Sequence, residues 1–292
     1  VGRNQQGAVS TVDFSGVQIT DATLVDLAGL TSLRQLFLHD RQVTDEGLAH
    51  LVEMTGLRRL YLDFTQVTDE GLRQLAGLVE LRQLGLSGTA VTDEGLAVLE
   101  NMDGLLQLRL ASTGITDSVL QRLAGRGDLE ELLLDETQVT DAGLAELLDS
   151  REMRVLGLFG TGLTDEGMEV VGRFRHLATL DIGGTSITPE GLGEIAGLEE
   201  LEELYLDETE IGDEGMNIIR KLPALRSLGL VGTRVTDMGI RQLSGLAKLE
   251  RLDLGSTDVS DAGIVLLARL RELRFIGLAD TAITDKGLNP LK

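Results

Sequence analysis

The stretch Leu81-Arg82-Gln83-Leu84-Gly85-Leu86-Ser87-Gly88-Thr89-Ala90-Val91-Thr92-Asp93-Glu94-Gly95-Leu96 decides the fold, because it changes period part-way along. Leu84, Gly85 and Leu86 alternate inward and outward, as a strand does. Its counterparts run from Leu36-Phe37-Leu38 and Leu60-Tyr61-Leu62 to Ile276-Gly277-Leu278. Further on, Leu48 and Leu51, Leu72 and Leu75, and Ile240 and Leu243 stand three apart, which is one face of a short helix. Thr92-Asp93 marks the junction. A Thr side chain accepts a bond from the first free backbone N–H groups, and Asp in the first turn favours the positive end of the helix dipole.

The junction recurs as Thr20-Asp21, Thr44-Asp45, Thr68-Asp69, Thr92-Asp93, Thr116-Asp117, Thr140-Asp141 and Thr164-Asp165. It continues as Thr188-Pro189, Gly212-Asp213, Thr236-Asp237, Ser260-Asp261 and Thr284-Asp285. Asp21 to Asp285 is 285 − 21 = 264 residues, or 11 steps of 24, with no insertion. That regularity predicts one domain over residues 1–292, with an irregular lead at 1–8 and repeats over about 9–291. Pro189 fits the frame, since the first helical position tolerates proline; Gly212 reads as a slightly weaker cap. Ten of the twelve units carry Gly two residues after the Asp position, Thr23 and Val119 being the exceptions, which predicts a helix lying close to the neighbouring coil. A Thr column from Thr65 and Thr89 to Thr257 and Thr281 predicts inward hydroxyls that satisfy backbone groups in the turn between coils.

The unit L-x-x-L-x-L-x-x-T-x-V-T-D-x-G-L-x-x-L resembles the leucine-rich repeat family. It is closest to the 24-residue bacterial subtype with a Thr-Asp-x-Gly-Leu helix start. It is also similar to the ribonuclease-inhibitor-like, cysteine-containing repeats of F-box substrate receptors, in which a Cys often stands where this chain has Thr and the repeats are slightly longer. The resemblance implies an α/β fold: a right-handed solenoid or horseshoe of about twelve coils. Parallel strands at ~4.8 Å spacing take the concave side, because short helices need more width and go outside. The family hosts many roles, so fold alone does not give function.

Composition narrows the classes. The chain has 292 residues, 42% apolar, 25% charged, 3% aromatic, and no Cys or Trp. Its formal charge is 26 − 48 = −22, spread along the chain. A field of that sign opposes nucleic acid and anionic lipid as partners, and no apolar run approaches the ~20 residues of a membrane span. Without Cys there is no thiolate chemistry or zinc–sulfur site, and the redox compartment stays open. No cofactor is expected.

A longer period overlies the short one. Gly85, Gly157 and Gly229 lie 72 apart, as do Tyr61, Leu133 and Tyr205, and Asp63, Asp135 and Asp207, which points to growth by duplication of three-coil blocks. The three aspartates, ~14 Å apart, are too distant to share a metal ion.

The concave face is expected to carry recognition. Phe37 and Tyr61 fall on adjacent strands with His39, Asp63 and Phe64 beside them; Arg34, Arg58 and Arg82 form a ladder, and Arg59 points into the same region. Exposed aromatics and arginines are typical binding anchors, although Phe37 and Tyr61 also suit a self-covering cross-strand pair. Arg109 and Tyr205 extend the same column, and Glu203, Asp181, Asp207 and Asp253 make a second, acidic patch around Tyr205. The expected function is therefore a non-enzymatic scaffold for a protein or peptide ligand. Two alternatives stand beside it. One is the recognition part of a larger effector or of a ubiquitin-ligase-type receptor, whose F-box this chain lacks. The other is a hydrolase using Ser15, His39 and Asp63, which fall in one column on successive strands. The lead Val1–Ser10 and the end Asn289-Pro290-Leu291-Lys292 do not read as polar caps, which predicts self-association through the ends, and the opening on Val rather than Met reads as a processed product or fragment.

Overall fold

The structure, a computed structural model, describes residues 1–39 and 42–289. Thirteen strands form one sheet in chain order. They are β1 (Gly2–Arg3), β2 (Val9–Asp13), β3 (Gln35–Phe37), β4 (Arg59–Tyr61), β5 (Gln83–Gly85), β6 (Gln107–Arg109), β7 (Glu131–Leu133), β8 (Val155–Gly157), β9 (Thr179–Asp181), β10 (Glu203–Tyr205), β11 (Ser227–Gly229), β12 (Arg251–Asp253) and β13 (Phe275–Gly277). From β2 onward every pairing is parallel and each residue meets its counterpart 24 positions away, as Leu36↔Leu60 and Leu60↔Leu84 do. Strands line the inner wall of an open α/β horseshoe and short helices its outer wall. The strands begin one residue earlier than the sequence pattern suggests, so Gln35, not only Phe37, faces the hollow side.

One coil shows what holds the stack. Leu57, Leu60, Leu62, Val67, Leu72, Leu75 and Leu78 are all 0% exposed. Each coil therefore contributes a full ring of apolar side chains, at roughly 2 kcal/mol per buried leucine, and these pack only on the rings above and below.

The Thr-Asp junction does more than cap. Thr68 accepts from Glu70 N, as expected of an N-cap. In addition, Thr68 donates its backbone N–H and its hydroxyl to the two oxygens of Asp45, one coil back, at 2.8 and 2.6 Å. The same pair of bonds joins Asp21 to Thr44, Asp69 to Thr92, Asp117 to Thr140 and Asp237 to Ser260. The glycine column belongs to this device: a Cβ on Gly71 would stand 2.2 Å from Asp45 Oδ1, and one on Gly95 2.3 Å from Asp69 Oδ1. Gly gives the carboxylate of the preceding coil close room, yet the rung does not require it: with Val119 at this position, Thr116 still bonds both oxygens of Asp93 at 2.9 and 2.6 Å. The rung between Pro189 and Gly212 has lost both members at once. Its coil forms a helix only from Met216, without a side-chain cap.

The Thr column points inward and satisfies backbone carbonyls as expected, each within its own coil: Thr65 Oγ1 donates to Leu62 O at 2.7 Å and Thr257 Oγ1 to Leu254 O at 2.6 Å. One expectation needs correction. The lead is not irregular throughout, because β1 pairs antiparallel with β2 and covers the free edge of the first coil. Of the C-terminal segment, Pro290, Leu291 and Lys292 lie outside the described residues.

Candidate functional site: the concave sheet

The residues singled out at the N-terminal end do come together, but not all as free anchors. Phe37 and Tyr61 sit side by side on β3 and β4 with ring centroids 5.2 Å apart and an interplanar angle of 7°. Arg109 lies over the other face of Tyr61 at 5.2 Å, and the Tyr61 hydroxyl donates to Gln83 Oε1 at 2.9 Å. Tyr61 is consequently only 8% exposed, which corrects its reading as an exposed anchor. Burial pushes its hydroxyl pKa up, so it stays a donor. Arg109 is itself held by Glu131 at 2.7 Å. Phe37 keeps a half-buried face, and His39 and Arg59 are exposed.

Phe64 is 55% exposed and sits in the turn after β4 with φ 60°. That turn repeats as a left-handed position in coil after coil, at Gly88, Ser112, Glu136, Gly160, Gly184, Glu208, Gly232, Ser256 and Asp280. A bulky aromatic there works against the backbone by ~1 kcal/mol relative to glycine, and an exposed one gains no core packing in return.

Asp63 is 6% exposed and accepts from Ser87 N at 2.9 Å, so it too is no free surface group. Asp135 and Asp207 repeat the arrangement on Phe159 N at 3.0 Å and Val231 N at 2.6 Å. This is the meaning of the 72-residue period. Cβ atoms on Gly85, Gly157 and Gly229 would stand 2.4, 2.5 and 2.7 Å from those carboxylates, so each Asp crosses a glycine to cap a backbone N–H of the next coil. Asp181 and Asp253 serve their own coils, accepting from Gly183 N at 3.0 Å and Gly255 N at 3.2 Å. The acidic patch is thus largely backbone capping. Burial pushes the Asp181 pKa up to about 6, against the Gly183 bond and helped by the charges of Asp135 and Asp207. Burial also raises Asp135 and Asp207.

The Ser15-His39-Asp63 column assembles only in part. His39 Nδ1 lies 3.7 Å from Asp63 Oδ2. Ser15 instead bonds Asp13, through its backbone N–H at 2.8 Å and through its hydroxyl, and among the described residues no hydrogen bond joins it to His39. Nor do the described residues hold a group of three acids or histidines placed for a metal ion. No helix among them is long and apolar enough to cross a membrane.

Two of the hollows on this face lie beside residues named above. One, of about 340 Å³, is floored by Gly157 and walled by Leu133, Val155, Phe159 and Tyr205 with Asp181 at its side. The other, of about 510 Å³, opens at the starts of β3–β5 among Arg34, Arg58, Arg59 and Arg82. The column two residues before the central one shapes both, Val155 and Thr179 lining the first and Gln35, Arg59 and Gln83 the second. Apart from Arg59 and Glu203, the sequence pattern passes over it, because that pattern starts each strand one residue late. The column's own 24-residue period is the signal that marks it.

A family model described as "Leucine Rich repeat" matches residues 175–196 and 245–268. Among solved structures, an internalin (inlF) of Listeria monocytogenes is 27% identical, with a TM-score of 0.71 over 94% of this chain and 75% of that one. A plant peptide hormone receptor, RGFR1, solved in complex with RGF2, is 17% identical with a TM-score of 0.50; 96% of this chain covers 52% of that one. A TDR receptor is 14% identical with a TM-score of 0.55, covering 94% of this chain and 56% of that one. This chain therefore spans about half the length of either receptor chain, and those two likenesses concern the fold. No curated protein matches the sequence. Coils of one length, leucine rings closed between them, a parallel inner sheet and these matches together make the described chain a leucine-rich-repeat solenoid.

Proposed function

We infer that this chain is a non-enzymatic scaffold that binds a protein or peptide across its concave sheet. The observation that carries the reading is the hollow between β7 and β10. Leu133, Val155 and Phe159 are each half-buried there, around a cavity of about 340 Å³ that no part of the described chain fills. Apolar walls with a few fixed polar groups are what a side chain of a partner requires. At the N-terminal end, Phe37, His39, Arg59 and Phe64 are the contact groups, with Arg58 and Arg82 steering. Tyr61, Asp63 and Arg109 hold them in place, and Tyr205 closes the central hollow. The plant receptor solved in complex with RGF2 shares the architecture, which is compatible with peptide binding here.

The test is selection of a displayed random-peptide library on the immobilised full chain, followed by affinity measurement of the enriched peptides. Phe159→Ala or Phe37→Ala should weaken them at least tenfold, since a buried aromatic anchor is worth on the order of 2 kcal/mol. Met238→Ala, on the helix side, should leave them unchanged. Peptides indifferent to both concave substitutions, with the fold intact by circular dichroism, would remove the concave sheet as the contact surface.

A further inference from the structure

We propose that the groove at the starts of β3–β5 is a docking site for an acidic peptide segment, a short run of Asp or Glu presented by a partner protein. The inference rests on the concave-face reading and specifies the partner chemistry at one end of it. Its first support is local charge. The chain carries −22 overall, yet this groove of about 510 Å³ is lined by Arg34, Arg58, Arg59 and Arg82 and by no Asp or Glu. Among the described residues none of the four forms an ion pair.

The same column supplies an internal control. In the C-terminal half, Arg226 stands between Glu202 and Glu250, at 3.7 and 2.5 Å, and Arg274 reaches Glu250 at 3.8 Å. There the column neutralises itself. At the N-terminal end three arginines follow one another without an acid between them. Arg58 N donates to Arg34 O and Arg82 N to Arg58 O, both at 2.8 Å, so the three are immediate neighbours. Like charges on adjacent strands oppose folding, and an anionic partner removes that opposition.

The form of the ladder selects the anion. One guanidinium per coil, at ~4.8 Å steps, distributes charge along a line. The heads are also held apart: Arg34 leans on Thr31 O and Leu33 O at 3.2 and 2.9 Å, and Arg82 on Gly104 O at 3.1 Å. That arrangement suits successive carboxylates, each taken by one planar fork, better than a single phosphate on which all would converge. Gln35 and Gln83 flank Arg59, and the Gln83 amide, whose oxygen is occupied by Tyr61, keeps its N–H groups to offer a peptide carbonyl. A long polyanion such as nucleic acid is opposed by the rest of the molecule, so the segment is short.

The experiment is fluorescence anisotropy of a labelled hexaglutamate peptide with the full chain at 50 and 200 mM salt. Saturable binding that weakens with salt is expected. Arg58→Gln with Arg59→Gln should weaken it at least tenfold, while Arg226→Gln should leave it unchanged. No saturable binding at 50 mM salt, or equal binding by the Arg58/Arg59 variant and the parent, would overturn the proposal. Displacement of the peptide by inorganic phosphate at equimolar concentration would replace it by a phosphate site. Library peptides that depend on Phe159 while hexaglutamate fails to bind would leave the scaffold reading standing and this one refuted.

Discussion

The Thr-Asp pair is two devices in one residue step. Its Thr caps a helix, and its Asp reaches forward to the Thr of the next coil past a position that is glycine in ten of the twelve units. The rung between Pro189 and Gly212 tests this, because both partners are absent together. Gly212 has room for a side chain, since a Cβ there would meet nothing nearer than Arg234 O at 3.4 Å. Gly212→Thr with Pro189→Asp should therefore restore the cap and both bonds and stabilise the chain by about 1–2 kcal/mol in urea denaturation. The double variant should gain more than the sum of the singles, since either alone leaves half a rung. Strict additivity would show that the rung carries no coupling.

At the scale of the strand and its turn, the concave surface is governed by which N–H groups need an acceptor. Asp135 and Asp207 cap the following coil, and Asp181 caps its own. Their desolvation is the penalty for standing on an inner wall beside apolar groups. Asp181, at about 6, sits well above an unfolded aspartate near 3.8. A raised acid is neutral in both states at low pH, and its penalty grows as pH climbs from the unfolded value through the folded one. Asp181→Asn keeps an oxygen for Gly183 N and removes the charge. Its stability gain over the parent should be small near pH 4, rise to about pH 6–7, and stay level above. Thermal denaturation of both proteins across that range reads it. A gain that does not change with pH would assign the effect to packing.

For the molecule as a whole, each coil buries its ring only on its neighbours, so stability is a chain of nearest-neighbour terms. Leu156 lies within the stack and is 0% exposed, whereas Leu278 is only partly buried. Leu156→Ala should cost about 2–5 kcal/mol and Leu278→Ala clearly less, because truncating a partly buried side chain removes fewer packing contacts. Equilibrium denaturation of the two variants compares them. Hydrogen exchange should then show the coils beyond β11 opening before the centre.

The repeat, its length, the helix start, the leucine ring and hence the horseshoe are legible in the order of residues alone, because those features come from local periodicity and from residue types with one strong conformational use. Single residues such as Pro189 were readable for the same reason. The role of each concave side chain is set instead by its neighbours in space. Tyr61 looks like an anchor in the sequence and is covered by Phe37, Arg109 and Gln83. Asp63, Asp135 and Asp207 look like a charged column and are backbone caps. Phe64 looks like one more concave aromatic and stands in a left-handed turn. Such roles depend on neighbours 22 to 48 residues away and on the side-chain direction between them. Local periodicity carries neither, and a strand that begins one residue earlier brings a whole further column, Gln35 to Thr179, onto the hollow side.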